Sequence, residues 1–236
     1  MKLSRNVILV ALIFMLMTLF SCSPYNMAEY FPLEEGDEWT YLHNMDGDEV
    51  EGRMFVNGTE LVEGAETVKM DVTAFGSVLV RYLCYVADEE GFKLCKHFFA
   101  LANWYTIFDN PRMLFPAQFS LWERYKGDYS YSRNLIEDDS LVFTATGSTT
   151  VLLKSIEDVT VTAGTFEDCL KIFTSQTEKR SDGWTLELED TAWYAHKVGL
   201  IKEEIIQTLH HPVEEESSRT DILELINATV DGTTYE

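Results

Sequence analysis

Cys169 lies in VTAGTFEDCLKI, residues 161–172, between two acids and an apolar run, where it could serve as a nucleophile, a bridge partner or packing. A thiolate needs a cation, a helix N-terminus or a neighbouring histidine. Glu167 and Asp168 push the other way, Lys171 compensates only in part, and the segment reads as strand. The expected role is a buried, unreactive, small apolar residue. The five histidines, His43, His97, His196, His210 and His211, are scattered, and no HExxH, GxSxG, P-loop or GxGxxG pattern occurs. His210 and His211 would project to opposite faces of a strand, which makes chelation of one ion awkward. Asn44, Asp46, Asp48 and Glu51 are spaced faintly like a calcium loop, but the liganding pattern is incomplete and an Asp-Gly hairpin explains them better. The 40 Asp and Glu residues offer many carboxylate pairs of the kind that hydrolyse glycosides, and that abundance removes the signal. No catalytic residue, metal or cofactor is expected from these patterns.

The remaining cysteine near the N-terminus carries different chemistry. Lys2 and Arg5 precede an apolar run from Val7 to Phe20 that stops at Ser21 and Cys22. As a helix this run reaches roughly 21 Å, short of the ~30 Å hydrocarbon core, so it reads as a secretory signal and not a span. Its ending, Leu19-Phe20-Ser21-Cys22, resembles the lipobox of bacterial lipoproteins. That resemblance implies removal of residues 1–21, diacylglycerol on the Cys22 thiol and acylation of the new amino group, which together make a stable anchor. Residues 22–30 would then be a tether. Ser23, not Asp, follows the cysteine and favours the outer over the inner membrane of a bacterial envelope.

The whole chain of 236 residues carries a net charge of −22. Losing residues 1–21 removes two of the 18 basic residues and no acid, leaving 16 against 40, or −24. Such a surface repels nucleic acid and anionic head groups, so membrane contact is expected through the acyl chains alone. With Cys22 lipidated, Cys84, Cys95 and Cys169 remain in an oxidising compartment. In RYLCYVADEEGFKLCKHF, residues 81–98, a turn at Asp88–Gly91 sets Ala87 against Phe92 and, in unbroken register, Cys84 against Cys95. Directly opposed residues are within disulfide range, so a Cys84–Cys95 bridge is expected, against two reduced core cysteines.

Short β-prone runs punctuated by turns fill the rest. Glu38 to His43 and Glu49 to Asn57 flank Asp46-Gly47; further runs cover Thr67 to Ala74, Val78 to Val86 and Phe92 to Phe99. Later runs cover Leu141 to Ala145, Thr149 to Ser155, Val159 to Thr162, Cys169 to Lys179, Trp184 to Tyr194, Leu200 to Thr208 and Asp221 to Asn227. The Gly199–Leu209 stretch also suits one helix face and is read as strand. Successive hairpins without helices predict an all-β fold: one antiparallel meander over 31–236, forming a strongly curved sheet or an incomplete or closed barrel.

Residues 98–131 hold 11 of the 30 aromatics together with Pro111 and Pro116, and read as an irregular insertion. Either it plugs one end of a barrel, or Trp104, Phe108, Phe115 and Trp122 line a wall for an apolar ligand.

Three segments, YFPLEEGDEWTY at 30–41, VTVTAGTFEDCLKI at 159–172 and WYAHKVGLIKEE at 193–204, resemble a family of bacterial exported proteins and lipoproteins labelled TapB-like. The matching positions are Phe31, Pro32, Leu33, Gly36 and Trp39, then Gly164, Thr165, Phe166 and Cys169, then Tyr194, Ala195 and Val198 to Lys202. His196-Lys197 stands where Pro-Gly is common. The resemblance implies a β-rich envelope protein without established catalytic residues. The combined expectation is a non-enzymatic envelope lipoprotein that binds an apolar small molecule or a protein partner. The alternatives are a carboxylate hydrolase of envelope glycan or lipid, and a scaffold.

Overall fold

The computed structural model describes residues 23–74, 78–213 and 215–236. Cys22, and with it the expected signal and lipid attachment, lies outside the described residues. The strands are β1 (Tyr25–Asn26), β2 (Glu38–Met45), β3 (Asp48–Val62), β4 (Ala65–Ala74), β5 (Val78–Ala87), β6 (Gly91–Phe99), β7 (Trp104–Pro116) and β8 (Gln118–Phe119). They continue with β9 (Arg124–Leu135), β10 (Leu141–Val161), β11 (Gly164–Arg180), β12 (Thr185–Ala195), β13 (Gly199–His210), β14 (Ser217–Val230) and β15 (Thr233–Tyr235). Twelve of them follow in the order β13-β12-β11-β10-β9-β7-β6-β5-β4-β3-β2-β14, and β13 pairs back to β14. All neighbours are antiparallel, so the meander closes into a barrel with β15 added outside the ring. Closure removes the unpaired edges that an open sheet of this length would expose.

The hairpin at Asp46-Gly47 forms as expected, with φ of 52° and 100° at its two central residues. The Asn44 carboxamide oxygen accepts from the Gly47 amide at 2.9 Å and the Asp46 carboxylate from the Thr220 amide at 3.2 Å. These oxygens serve the turn and the neighbouring strand. Gly199–His210 is strand throughout. The three runs between Leu141 and Thr162 are one 21-residue strand, β10, with bulges around Val142 against β9 and around Lys154 and Asp158 against β11 that let it curve round the barrel.

Two expectations are corrected. The stretch 98–131 is not an irregular insertion: it supplies the end of β6, all of β7 and much of β9, and is irregular only in its connections. Its prolines sit where wall pairing lapses, since β7 pairs with β9 only from Trp104 to Asn110. Pro111 and Pro116 lie beyond that point, where a missing amide costs no ladder bond to β9. The register of β5 and β6 also departs from the constant one. Ala87, Val86 and Tyr85 face Phe92, Lys93 and Leu94, but a bulge follows and Cys84 faces Lys96. Phe92 and Leu94 point inward from even positions, His97 and Phe99 from odd ones, and Cys95 is the extra residue that reconciles the two phases. Cys84 and Cys95 are free, buried thiols packed with Val62 on the outer side of the wall.

The split between β7 and β9 is filled by the N-terminal segment. β1 pairs with β8, the Met27 amide donates to the Ala117 carbonyl at 3.0 Å, and Met27 is fully buried. Phe31 then enters the barrel, its ring meeting Tyr85, Phe92, Phe115 and Tyr194 edge-on at centroid distances of 5.3–6.2 Å. The stretch expected to be a tether is thus docked from Tyr25 onward.

Candidate functional site

Along every strand of a barrel, inward and outward side chains alternate. Near the end that holds Phe31, the inward positions are large and apolar, including Met70, Leu94, Phe115, Val151, Leu170 and Leu225, all at most 2 % exposed. This base is filled. Trp39 and Tyr41 bind it across the wall, their Nε1 and hydroxyl donating to the carbonyls of Val198 at 2.6 Å and Leu200 at 2.8 Å.

Halfway along, the inward positions change character. In β12 they run Leu186, Leu188, Asp190, Ala192 and Tyr194, placing an acid in phase with apolar residues. The same happens at Arg81 in β5, in phase with Leu83 and Tyr85, and at Arg112 in β7, opposite the core residue Leu94. Glu203 in β13 pairs with Ala192 and Leu223, and Asp221 in β14 pairs with Ile205 and Met45. His43, His97, Gln176 and Glu178 complete a polar belt. Arg81, Arg112, Leu188, Asp190, Glu203 and Ile205 are only half-buried although they face inward, so solvent reaches the barrel interior at this level.

Few groups in the belt satisfy one another. Arg112 Nη1 donates to Gln176 Oε1 at 2.9 Å, but Arg112 Nε has no partner. Among the described residues Arg81, Asp190 and Glu203 make no side-chain hydrogen bond or ion pair, and Asp190 Oδ1, His97 Nε2, Thr149 Oγ1 and Asp221 Oδ1 are buried without a hydrogen bond. Arg219 holds the other Asp221 oxygen at 2.6 Å. Burial pushes the Asp190 carboxyl well above the usual carboxylate range, helped by the nearby Glu203 and opposed by Arg112. Burial raises Glu203 too, against Arg81 and Arg112. His97 is held far below the usual histidine range by burial and by Arg81, Arg112 and Arg133, so it is neutral. On one side the belt extends to Arg133, whose guanidinium lies 3.6 Å from the Trp104 ring centroid, and to Glu178, which accepts from the Tyr131 hydroxyl.

The four aromatics expected to form one wall are dispersed. Trp104 faces inward near the open end, 4.0 Å from the Phe99 ring centroid; Phe108 packs on Tyr131 at 5.3 Å; Phe115 belongs to the filled base; Trp122 is 67 % exposed. Cys169 is fully buried, its thiol pushed up to about 11 by burial, while Cys84 rises to about 12 for the same reason. The belt residues were not singled out from the sequence, although a charge in phase with apolar neighbours on a strand was there to be seen in RYLCY, residues 81–85, and LELEDTAWY, residues 186–194. Among the described residues no group of three or more His, Cys, Asp or Glu is placed to hold a metal.

A protein of Parabacteroides distasonis described as a "putative lipoprotein" shares this fold, with a TM-score of 0.50 at 15 % identity over 84 % of this chain and 97 % of that one. One of Bacteroides fragilis, described as a "putative exported protein with YmcC-like fold", gives 0.49 at 14 % identity over 84 % and 98 %. No curated protein matches the sequence. Residues 150–208, which contain the second and third of the three family-like segments, match the model of the DUF3108-like family.

Proposed function

We propose that this is a non-enzymatic binding module of the bacterial cell envelope, tethered through Cys22 to the outer membrane and holding a small molecule in the solvent-reached half of its barrel. The observation that carries the reading is the unpaired polar belt, because buried polar groups are costly unless something bonds to them. A scaffold would be served by a core filled throughout, as the base is. The likeness to a protein described as a lipoprotein supports the anchor, as does the docked Tyr25–Phe31 segment, which would hold the barrel close to its acyl chains. The test is native mass spectrometry of the protein extracted from membranes. An adduct lost from the Arg81→Gln variant supports the reading, and adduct-free spectra together with no thermal shift against lipid, sugar and amino-acid panels would sink it. Cys22→Ser should move the protein to the soluble fraction.

One observation favours a hydrolase instead. Asp190 and Glu203 are inward carboxyls held above their usual range, as a general acid must be. In that case Glu203→Gln would abolish turnover of envelope glycan or lipid while leaving substrate binding intact.

A further inference from the structure

The ring order places the belt charges on opposing walls. β6 lies six strands from β13 whichever way the ring is followed, so β5, β6 and β7 face β12, β13 and β14 across the lumen. The first wall carries Arg81, His97 and Arg112, the second Asp190, Glu203 and Asp221, the last already paired with Arg219 of its own strand and with His43 Nε2 4.0 Å from its other oxygen, so the unpaired acids there are Asp190 and Glu203. Opposite charges at one level would ordinarily pair. Here no oxygen of Asp190 or Glu203 comes within 4.0 Å of either guanidinium, and each wall keeps buried atoms without a hydrogen bond: Arg112 Nε on one, Asp190 Oδ1 and Asp221 Oδ1 on the other. Thr149 Oγ1, in a residue only 3 % exposed, is a further unpartnered group on the adjoining inner face of β10.

A plain anion would satisfy the guanidiniums and leave the carboxylates bare. A plain cation would do the reverse. A molecule with both groups completes the two walls at once, and the half-buried Leu188 and Ile205 beside Asp190 give an apolar side chain somewhere to lie. We propose that the lumen binds a small zwitterion of the amino-acid or short-peptide class, its carboxylate between Arg81 and Arg112 and its ammonium toward Asp190 and Glu203. The guanidinium fork suits a carboxylate through paired N–H donors. This rests on the reading of the lumen as a binding site and names its ligand.

The test uses the full mature protein with two probes, an equimolar mixture of free amino acids and a mixture of Ala-X dipeptides, read by native mass spectrometry and by thermal shift. The retained species is then titrated calorimetrically beside its N-acetyl and C-amide forms. Each blocked form should bind at least about tenfold more weakly, the loss expected for one charge-assisted contact. Arg81→Gln should cause a similar loss and leave folding intact, since the Arg81 side chain makes no hydrogen bond or ion pair. Asp190→Asn should weaken the free zwitterion but not the N-acetyl form. Equal affinity of blocked and free forms would overturn the proposal, as would retention of a neutral sugar or a lipid with neither mixture retained. Those two results leave the lumen a binding site for another class, whereas silence toward every class removes that reading as well.

Discussion

The outer face of the wall holds carboxylates that the inner face partly leaves alone: inside, Asp221 is held by Arg219 and Glu178 by Tyr131, but two acids are not held at all. Outside, Glu157 accepts from Trp193 Nε1 at 2.7 Å and Lys171 Nζ at 3.0 Å, and Glu60 accepts from Lys96 Nζ at 2.6 Å. Inside, Asp190 and Glu203 make no such bond. The cations are segregated as well: Arg81, Arg112, Arg133, Arg180 and Arg219 occupy inner-face positions, the last two paired with Asp182 and Asp221, while Lys69, Lys96, Lys171 and Lys202 lie on the outer one. A flexible ammonium on the surface finds a carboxylate by moving to it, and such pairs contribute little each. A guanidinium fixed inside a barrel keeps its direction, which suits it to a guest more than to the wall. On the reading proposed above, the outer charges serve the fold, and the inner ones that the wall leaves unpaired, Arg81, Asp190 and Glu203, serve a guest.

The largest effect that could break this division separates the filled base from the solvent-reached belt. Phe115→Ala removes a ring that touches Phe31, Phe92 and Tyr194 and is 2 % exposed, so it should cost about 3–5 kcal/mol in chemical denaturation. Leu188→Ala, half-buried at belt level, should cost under about 1.5 kcal/mol because less apolar area leaves contact. Equal costs at the two sites would mean that the belt is packed like the base.

Much of the barrel was legible because its cause is local. Alternation and Asp-Gly turns set most strands, and Asp46-Gly47 closed its hairpin as read. What was lost required phase changes between distant strands. The expected Cys84–Cys95 pairing assumed an unbroken register, and the bulge at Cys95 appears only when Phe92-Leu94 and His97-Phe99 are seen to need the same face. The aromatic abundance of 98–131 was real but its grouping was not, since alternation sends Phe108 and Phe115 into different parts of the core and Trp122 to the surface. The site itself was missed because forty acids hide two; only their phase against apolar neighbours marks Asp190 and Glu203.

A middle-sized effect tests the inner carboxyls directly. Their folded pKa values are raised, so stability from these groups is full below the ordinary carboxylate range and is lost as pH rises through the raised values. Glu203→Gln or Asp190→Asn removes a carboxyl whose ionised form burial penalises, and in the ligand-free protein should raise Tm at pH 8 by about 2–4 °C, the shift that ~1 kcal/mol produces at this size. At pH 4, where the native carboxyls are already protonated, wild type and variant should melt together. A fall in Tm at pH 8 would show that the wall itself uses these charges.

The smallest effect lies outside. Glu157 is held below the usual glutamate range by the Trp193 bond, against burial, with help from Lys171 and Ser155. Its contribution is therefore present above the ordinary glutamate pKa and fades as pH falls through the lowered one, the reverse of the inner pair. The side chain is 40 % exposed, so screening limits the gain to about 0.5–1 kcal/mol. Glu157→Gln should lower Tm by roughly 1–3 °C at pH 7, less in ~1 M salt, and by nothing measurable at pH 2. Measured beside Glu203→Gln across the same pH series, the two difference curves should have opposite signs at neutral pH and converge in acid. Curves of the same sign would mean that inner and outer carboxylates do one job, and the division between a paired wall and an unpaired lumen would fail.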